Sequence, residues 1–195
     1  PRQKGASTCA QALTYHHMRK HENLSGSLMG DIAGTSDKVF EIYRRYAEND
    51  AFPWNDFGTN LEDGGSLADE IRLISKSVYG KETAGSKNAG RSGTIQVGNM
   101  TEVAFWPMGG ERDPALGYLQ SLYDGDNVSL VVADSTPNGP AGWFYRTWVQ
   151  DNEWAKIFAA WFEFDDSEVE FRDEDELQEF KDSLTEDEKS EMERF

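Results

Sequence analysis

The chain has 195 residues, with 36 acidic against 19 basic side chains and a formal net charge of −17. That length suits one domain, or one domain with a piece of another, and it can bury a sizeable core. The acidic balance excludes a nucleic-acid binder of the whole-surface kind, the single Cys9 excludes an internal disulfide, and no apolar run approaches the ~20 residues that cross a bilayer.

Any DNA contact therefore falls to a local basic patch. Three histidines without a cysteine pair argue against a structural zinc site. No signal-peptide pattern is present, and an intracellular soluble protein is the expectation. The chain opens at Pro1 and stops at Phe195 inside an acidic stretch that reads as helix, so it is expected to be a piece of a longer reading frame.

In chain order, residues 1–8 form a glycine-containing turn that ends in two hydroxyls, Ser7 and Thr8. Residues 8–21 carry a rough helical face through Ala10, Leu13, His17 and Met18. A short strand is expected over Leu28–Ile32. A helix is expected to follow through Val39, Phe40, Tyr43 and Tyr46, with Ser36 or Asp37 as its N-cap. Residues 49–68 are loop-rich. Ile71–Val78 alternates in part as a strand does, and residues 80–93 are polar and rich in glycine. Residues 94–97 and 100–105 are β-like, and Pro114–Tyr123 looks helical. Val128–Ala133 has the apolar run of a strand buried on both faces. Trp143–Trp148 opens a helix, Ile157–Phe164 is a further strand candidate, and Asp173–Phe195 reads as an acidic helix pair broken near Leu184. Thr185 and Glu188 there have the spacing of a capping box. Strands alternating with helices predict an α/β fold with a mainly parallel sheet, whose ligand sits beyond the carboxyl ends of the strands.

Three segments carry chemistry. In the first, Pro1-Arg2-Gln3-Lys4-Gly5-Ala6-Ser7-Thr8 opens a helix. A phosphate-binding loop needs backbone N–H groups at a helix N-terminus, a hydroxyl for Mg²⁺ and a cation for the phosphates. Ser7 or Thr8 can supply the hydroxyl, and Lys4 or Arg2 the charge. An ordinary turn before a helix has the same composition. In the second, a β-like run ends at Thr101-Glu102, where a carboxylate could orient or deprotonate an attacking water; a solvated glutamate at a strand end is the plainer reading. In the third, a strand runs into Ser135-Thr136-Pro137-Asn138-Gly139, whose polar groups could sense a γ-phosphate. Pro-Asn-Gly is also a turn signal in its own right. The three occur in the order loop, acidic strand, polar strand, at spacings that suit successive strands of one sheet.

Taken together, these residues resemble the ATPase region of phage terminase large subunits. Arg2–Thr8 is similar to that family's deviant Walker A, and Thr101-Glu102-Val103-Ala104-Phe105-Trp106 to a Walker B end in which a hydroxyl residue stands for the usual aspartate. Ser135–Gly139 followed by Trp143-Phe144-Tyr145 and Trp148 resembles its coupling motif and the helix after it. Trp154 to Phe162 resembles a later strand, and Leu184–Glu188 the approach to a linker subdomain, so nearly the whole chain is covered.

The resemblance implies a P-loop NTPase of the additional-strand type with its first strand truncated, residues 1–165 as ATPase core and 166–195 as the start of a linker subdomain. It implies ATP and Mg²⁺ as cofactors. Arg2, Gln3, Lys4, Gly5, Ala6, Ser7 and Thr8 would surround the phosphates, with Ser7 or Thr8 on Mg²⁺ and Thr101 touching its shell indirectly. Glu102 would be catalytic, and Arg91 would reach a neighbouring subunit's ATP. Ser135, Thr136, Asn138 and Gly139 would couple hydrolysis to motion. The implied partners are double-stranded DNA, a portal protein, a small terminase subunit and further copies of the chain in a ring. The implied location is the cytoplasm of an infected bacterial host, at the procapsid portal. The family's nuclease domain is absent from these residues. A helicase-like P-loop motor and a degenerate, non-catalytic P-loop module are the alternatives. His16, His17 and His21 read as helix surface or packing, and the tryptophans as core.

Overall fold

The computed structural model describes residues 5–50, 61–84, 86, 94–108, 113–122, 129–160 and 171–186. The chain divides into two compact units, Arg2–Lys156 and Ile157–Phe195. Among the described residues no helix is long and apolar enough to cross a membrane.

The first unit is built on six strands: β1 Ser25–Gly30, β2 Leu61–Ser66, β3 Glu70–Leu73, β4 Val78–Thr83, β5 Val97–Thr101 and β6 Leu130–Asp134. Their order across the sheet is β2-β3-β4-β1-β5-β6. The four strands β4, β1, β5 and β6 are parallel, and β2 and β3 extend the β4 edge antiparallel. Every residue of β5 is buried, as suits a central parallel strand covered on both faces.

Two helices owe their position to apolar stripes at helical spacing. Helix α1 (Ala6–Lys20) buries Ala10, Gln11, Thr14, Tyr15 and Met18 and lies against β5 and β6. Helix α2 (Ala33–Glu48) buries Val39, Phe40, Tyr43 and Ala47 against β1 and β4. One core therefore gathers Met18, Leu28, Phe40, Tyr43, Tyr79 and Val97. Tyr43 and Tyr79 stack at its centre, ring centroids 4.1 Å apart, and burial raises both phenol pKa values. The opposite face of the sheet forms a second core with helix α3 (Pro114–Gln120) and helix α4 (Gly142–Val149), in which Met29, Met100, Trp106, Tyr118 and Trp143 are buried. Trp106 and Trp143 are thus core residues as expected, whereas Trp148 is 37% exposed.

Tyr118 ties α3 to the strands that carry the site. Its hydroxyl donates to the Ser27 carbonyl on β1 and accepts the Asn99 N–H of β5 at 3.2 Å. Its ring packs tightly on residue 98: a Cβ on Gly98 would meet Tyr118 Cε1 at 3.1 Å, so a side chain there would push the ring by a few tenths of an ångström. Tyr118→Phe leaves two buried backbone groups without this partner. It is expected to destabilise the chain by about 1–3 kcal/mol, seen as a lower urea midpoint at unchanged slope. An unshifted midpoint would show that the hydroxyl contributes nothing.

Several expectations change in the structure. Ile71–Val78 is not one strand. It holds the end of β3, a turn closed by the Lys76 N–H donating to the Leu73 carbonyl, and the start of β4. Ser36 does not cap α2, which starts at Ala33. Its hydroxyl donates to the Glu82 carbonyl at 2.7 Å and so seats the helix on the end of β4. β6 is half-buried along its whole length, and among the described residues it has one strand neighbour instead of two. Residues 157–160 are not a strand, and 161–164 lie outside the described residues. In the second unit α5 runs Glu174–Ser183. Asp173 caps it by accepting the Glu176 N–H, and the Glu176 carboxylate accepts the Arg172 N–H in return. Glu188, the far end of the expected second capping box, lies outside the described residues.

Candidate functional site

The expected segments meet at the carboxyl ends of the parallel strands. Helix α1 begins after Gly5, whose φ of 82° is the left-handed conformation that glycine adopts without strain. Among the described residues no side chain caps this N-terminus, and its first turn holds no acidic residue. Its backbone N–H groups and positive dipole end are therefore left for an anion. The two hydroxyls separate here. Ser7 Oγ donates to Asp134 Oδ2 at 3.0 Å, whereas Thr8 and Ala6 lie exposed on the helix surface.

β5 and β6 end level with each other. Thr101 is the register partner of Asp134 and donates its hydroxyl to Asp134 Oδ2 at 3.2 Å. Asp134 Oδ1 is enclosed with no hydrogen-bond partner. Burial pushes the Asp134 carboxyl up to about 6. The bonds from Ser7 and Thr101 oppose that rise, and the nearby charge of Glu102 adds to it.

Glu102 follows directly, with φ 51° and ψ 39°. A non-glycine residue is seldom left-handed, and holding one there costs on the order of 1–3 kcal/mol. The 3₁₀ turn Val103–Phe105 comes next and is pinned from β6. The Ala104 N–H donates to Ser135 Oγ at 3.1 Å, and Asn138 Nδ2 donates to the Ala104 carbonyl at 3.1 Å. Both backbone groups of one residue are thus held by the 135–139 segment. Trp106 Nε1 donates to the Thr101 carbonyl at 3.0 Å and fixes the turn from its other end. Ser135 Oγ lies 3.5 Å from Glu102 Oε2, but its one proton has a nearer acceptor in the Thr136 carbonyl at 2.9 Å. The Glu102 carboxylate is therefore weakly held by Ser135 and able to act on another group. Gly139, at φ 77°, makes the turn that carries the chain away from the site.

Asp134 thus joins Ser7 and Thr101 through hydrogen bonds, and Ala104 joins Ser135 and Asn138, with Glu102 between the two groups in the chain. Thr136 meets the second group through its carbonyl. Arg2, Gln3, Lys4 and Arg91 lie outside the described residues. Sequence reasoning passed over Asp134, although its signal was present: β5 and β6 are equally long and both terminate in a polar side chain. Among the described residues no three His, Cys, Asp or Glu side chains gather to hold a metal. The donors that do converge are oxygens. They suit a hard cation such as Mg²⁺ that is bound jointly with substrate phosphates.

No protein-family model matches the chain, and no curated protein matches its sequence. Its fold has solved counterparts. The large terminase of a thermophilic bacteriophage superposes with a TM-score of 0.55 at 14% identity, over 75% of this chain and 34% of that one. The large terminase ATPase domain of Thermus phage P74-26 gives a TM-score of 0.48 at 17% identity, over 74% of this chain and 60% of that one, and an arginine-to-alanine mutant of that domain gives the same values. The chain therefore spans about a third of the length of the first of these terminases. The chain shares its mixed α/β fold with the large terminase of the thermophilic bacteriophage.

Proposed function

We propose that the chain is the ATPase module of a viral DNA-packaging terminase large subunit, hydrolysing ATP to drive double-stranded DNA into a procapsid. The observation that carries the reading is the meeting, at one end of a parallel sheet, of an uncapped helix N-terminus, a hydroxyl cluster and the Glu102 carboxylate. The N–H groups of Gly5–Ser7 cradle the phosphates, and Lys4 or Arg2 adds positive charge. Ser7 would hold Mg²⁺, with Thr101 touching its shell indirectly; the ion, when bound, supplies charge neutralisation across the β- and γ-phosphate oxygens. Glu102 orients or deprotonates the attacking water. Ser135, Thr136, Asn138 and Gly139 form the segment that responds to loss of the γ-phosphate, and its two hydrogen bonds to Ala104 connect it to the turn that follows Glu102.

In this reading residues 166–195 begin a linker subdomain. Arg91 reaches the ATP of the next subunit in a ring on the portal protein, a small terminase subunit assists, and the work is done in the cytoplasm of an infected bacterium. The net charge of −17 confines DNA contact to a local basic patch or to partner surfaces.

Phosphate release from ATP tests the proposal. Hydrolysis that requires Mg²⁺ and rises with double-stranded DNA is the expected result. No hydrolysis, with ATP still bound, would favour the non-catalytic module. Absence of ATP binding would overturn the nucleotide site itself.

A further inference from the structure

A P-loop site needs an acidic group near the hydroxyl at the helix N-terminus, to hold it with its lone pairs turned toward the cation. The strand that leads to Glu102 ends instead in a neutral hydroxyl, Thr101. The nearby carboxylate is one strand over. Asp134 is the register partner of Thr101, and its Oδ2 accepts from both Ser7 and Thr101. A hydroxyl that donates its proton to a carboxylate turns its lone pairs elsewhere. Asp134 Oδ1 is enclosed and lacks a partner, a costly state for a charged group with nothing else to accept.

We infer that Asp134 is the positioning carboxylate of the magnesium–nucleotide site, displaced from the end of β5 to the end of β6, where it orients the Ser7 hydroxyl. Thr101 is then the group that holds Asp134 in place. This inference rests on the nucleotide reading above. It assigns to Asp134 a role beyond packing α1 onto the sheet: the network carries its negative charge on a different strand, and the charge should work from either strand end.

The test compares three chains: wild type, Asp134→Asn, and the exchange Thr101→Asp with Asp134→Thr. A fluorescent ATP analogue is titrated with excess Mg²⁺ and again with EDTA, and thermal melts check folding. Wild type is expected to bind more tightly with Mg²⁺ than with EDTA. Asp134→Asn is expected to lose about 10–100-fold in Mg²⁺-dependent affinity, the usual effect of removing a group that orients a metal ligand. Its EDTA affinity should not fall below wild type, because removing a negative charge beside an anion site does not weaken metal-free binding, and the exchange variant should recover most of the loss. An Asp134→Asn chain that keeps the full Mg²⁺ gain overturns the inference and leaves the nucleotide reading intact. An exchange variant that folds but stays as weak as Asp134→Asn also overturns it. If Asp134→Asn does not fold, the exchange variant decides alone. Wild type that binds no analogue under either condition overturns the nucleotide reading, and the inference with it.

Discussion

Glu102→Gln is expected to lower ATP turnover by about 10²–10⁴-fold, the usual weight of a positioned general base, while nucleotide affinity stays near wild type. The substitution removes the charge and keeps the shape. The backbone of residue 102 is set by its neighbours: Ser135 and Asn138 bind both backbone groups of Ala104, and Trp106 Nε1 binds the Thr101 carbonyl. None of these contacts uses the Glu102 side chain, so glutamine should sit where glutamate sat. Ser135 Oγ gives its proton to the Thr136 carbonyl more closely than to Glu102, 2.9 Å against 3.5 Å, so the native carboxylate is not committed to a structural bond. Steady-state kcat and equilibrium affinity for an ATP analogue provide the check. Unchanged kcat would remove Glu102 from the chemistry. Loss of affinity together with kcat would make it a binding group instead.

The second large effect is on stability and depends on pH. In EDTA the folded-state pKa of Asp134 is raised from 3.8 to about 6, mainly by burial. A raised carboxyl pKa means that the fold prefers the protonated form. That contribution is fully present below the unfolded value of 3.8 and is lost as pH rises through about 6. Two pKa units correspond to about 2–3 kcal/mol. Asparagine is neutral at every pH, and its carbonyl can still accept from Ser7 and Thr101. The stability of Asp134→Asn relative to wild type is therefore expected to rise by about 2–3 kcal/mol from pH 4 to pH 8, on top of a pH-independent cost of the amide N–H groups buried in place of Oδ1. Urea melts of both chains across that range measure it, and the difference between them cancels the titration of other carboxylates. A difference that does not vary with pH would contradict the burial account. Saturating Mg²⁺ and ATP should oppose that rise, since a bound cation stabilises the ionised carboxylate.

Much of the fold was legible because its signals are local. The stripes of α1 and α2 follow from single-helix spacing, and Pro114 reads as the first residue of the helix that became α3, which Asp113 caps by accepting the Ala115 N–H. The run that became β6 stands out as an apolar segment, whereas β5 spans Val97–Thr101 across two pieces that read as β-like apart. The features that escaped depend on distant partners. The turn between β3 and β4 uses Lys76 at φ 63°, a left-handed position without the glycine or asparagine that would have announced it. Ser36 looked like a cap because the Glu82 carbonyl it binds is 46 residues away. Asp134 meets Thr101 across 33 residues and Ser7 across 127, so its place in the site is a property of strand register. The segments around Ser7, Glu102 and Ser135 could be singled out from composition, but the hydrogen bonds that tie Ser7 to Asp134 and Ala104 to Ser135 could not.

Hydrogen exchange of the chain, with and without a slowly hydrolysed ATP analogue and Mg²⁺, locates the nucleotide on the backbone. Slowed exchange is expected at three separated stretches, residues 5–8, 101–104 and 134–138, with little change in the antiparallel strands β2 and β3. Protection confined to another part of the chain, or none at saturating analogue, would contradict a nucleotide site at the carboxyl ends of β5 and β6.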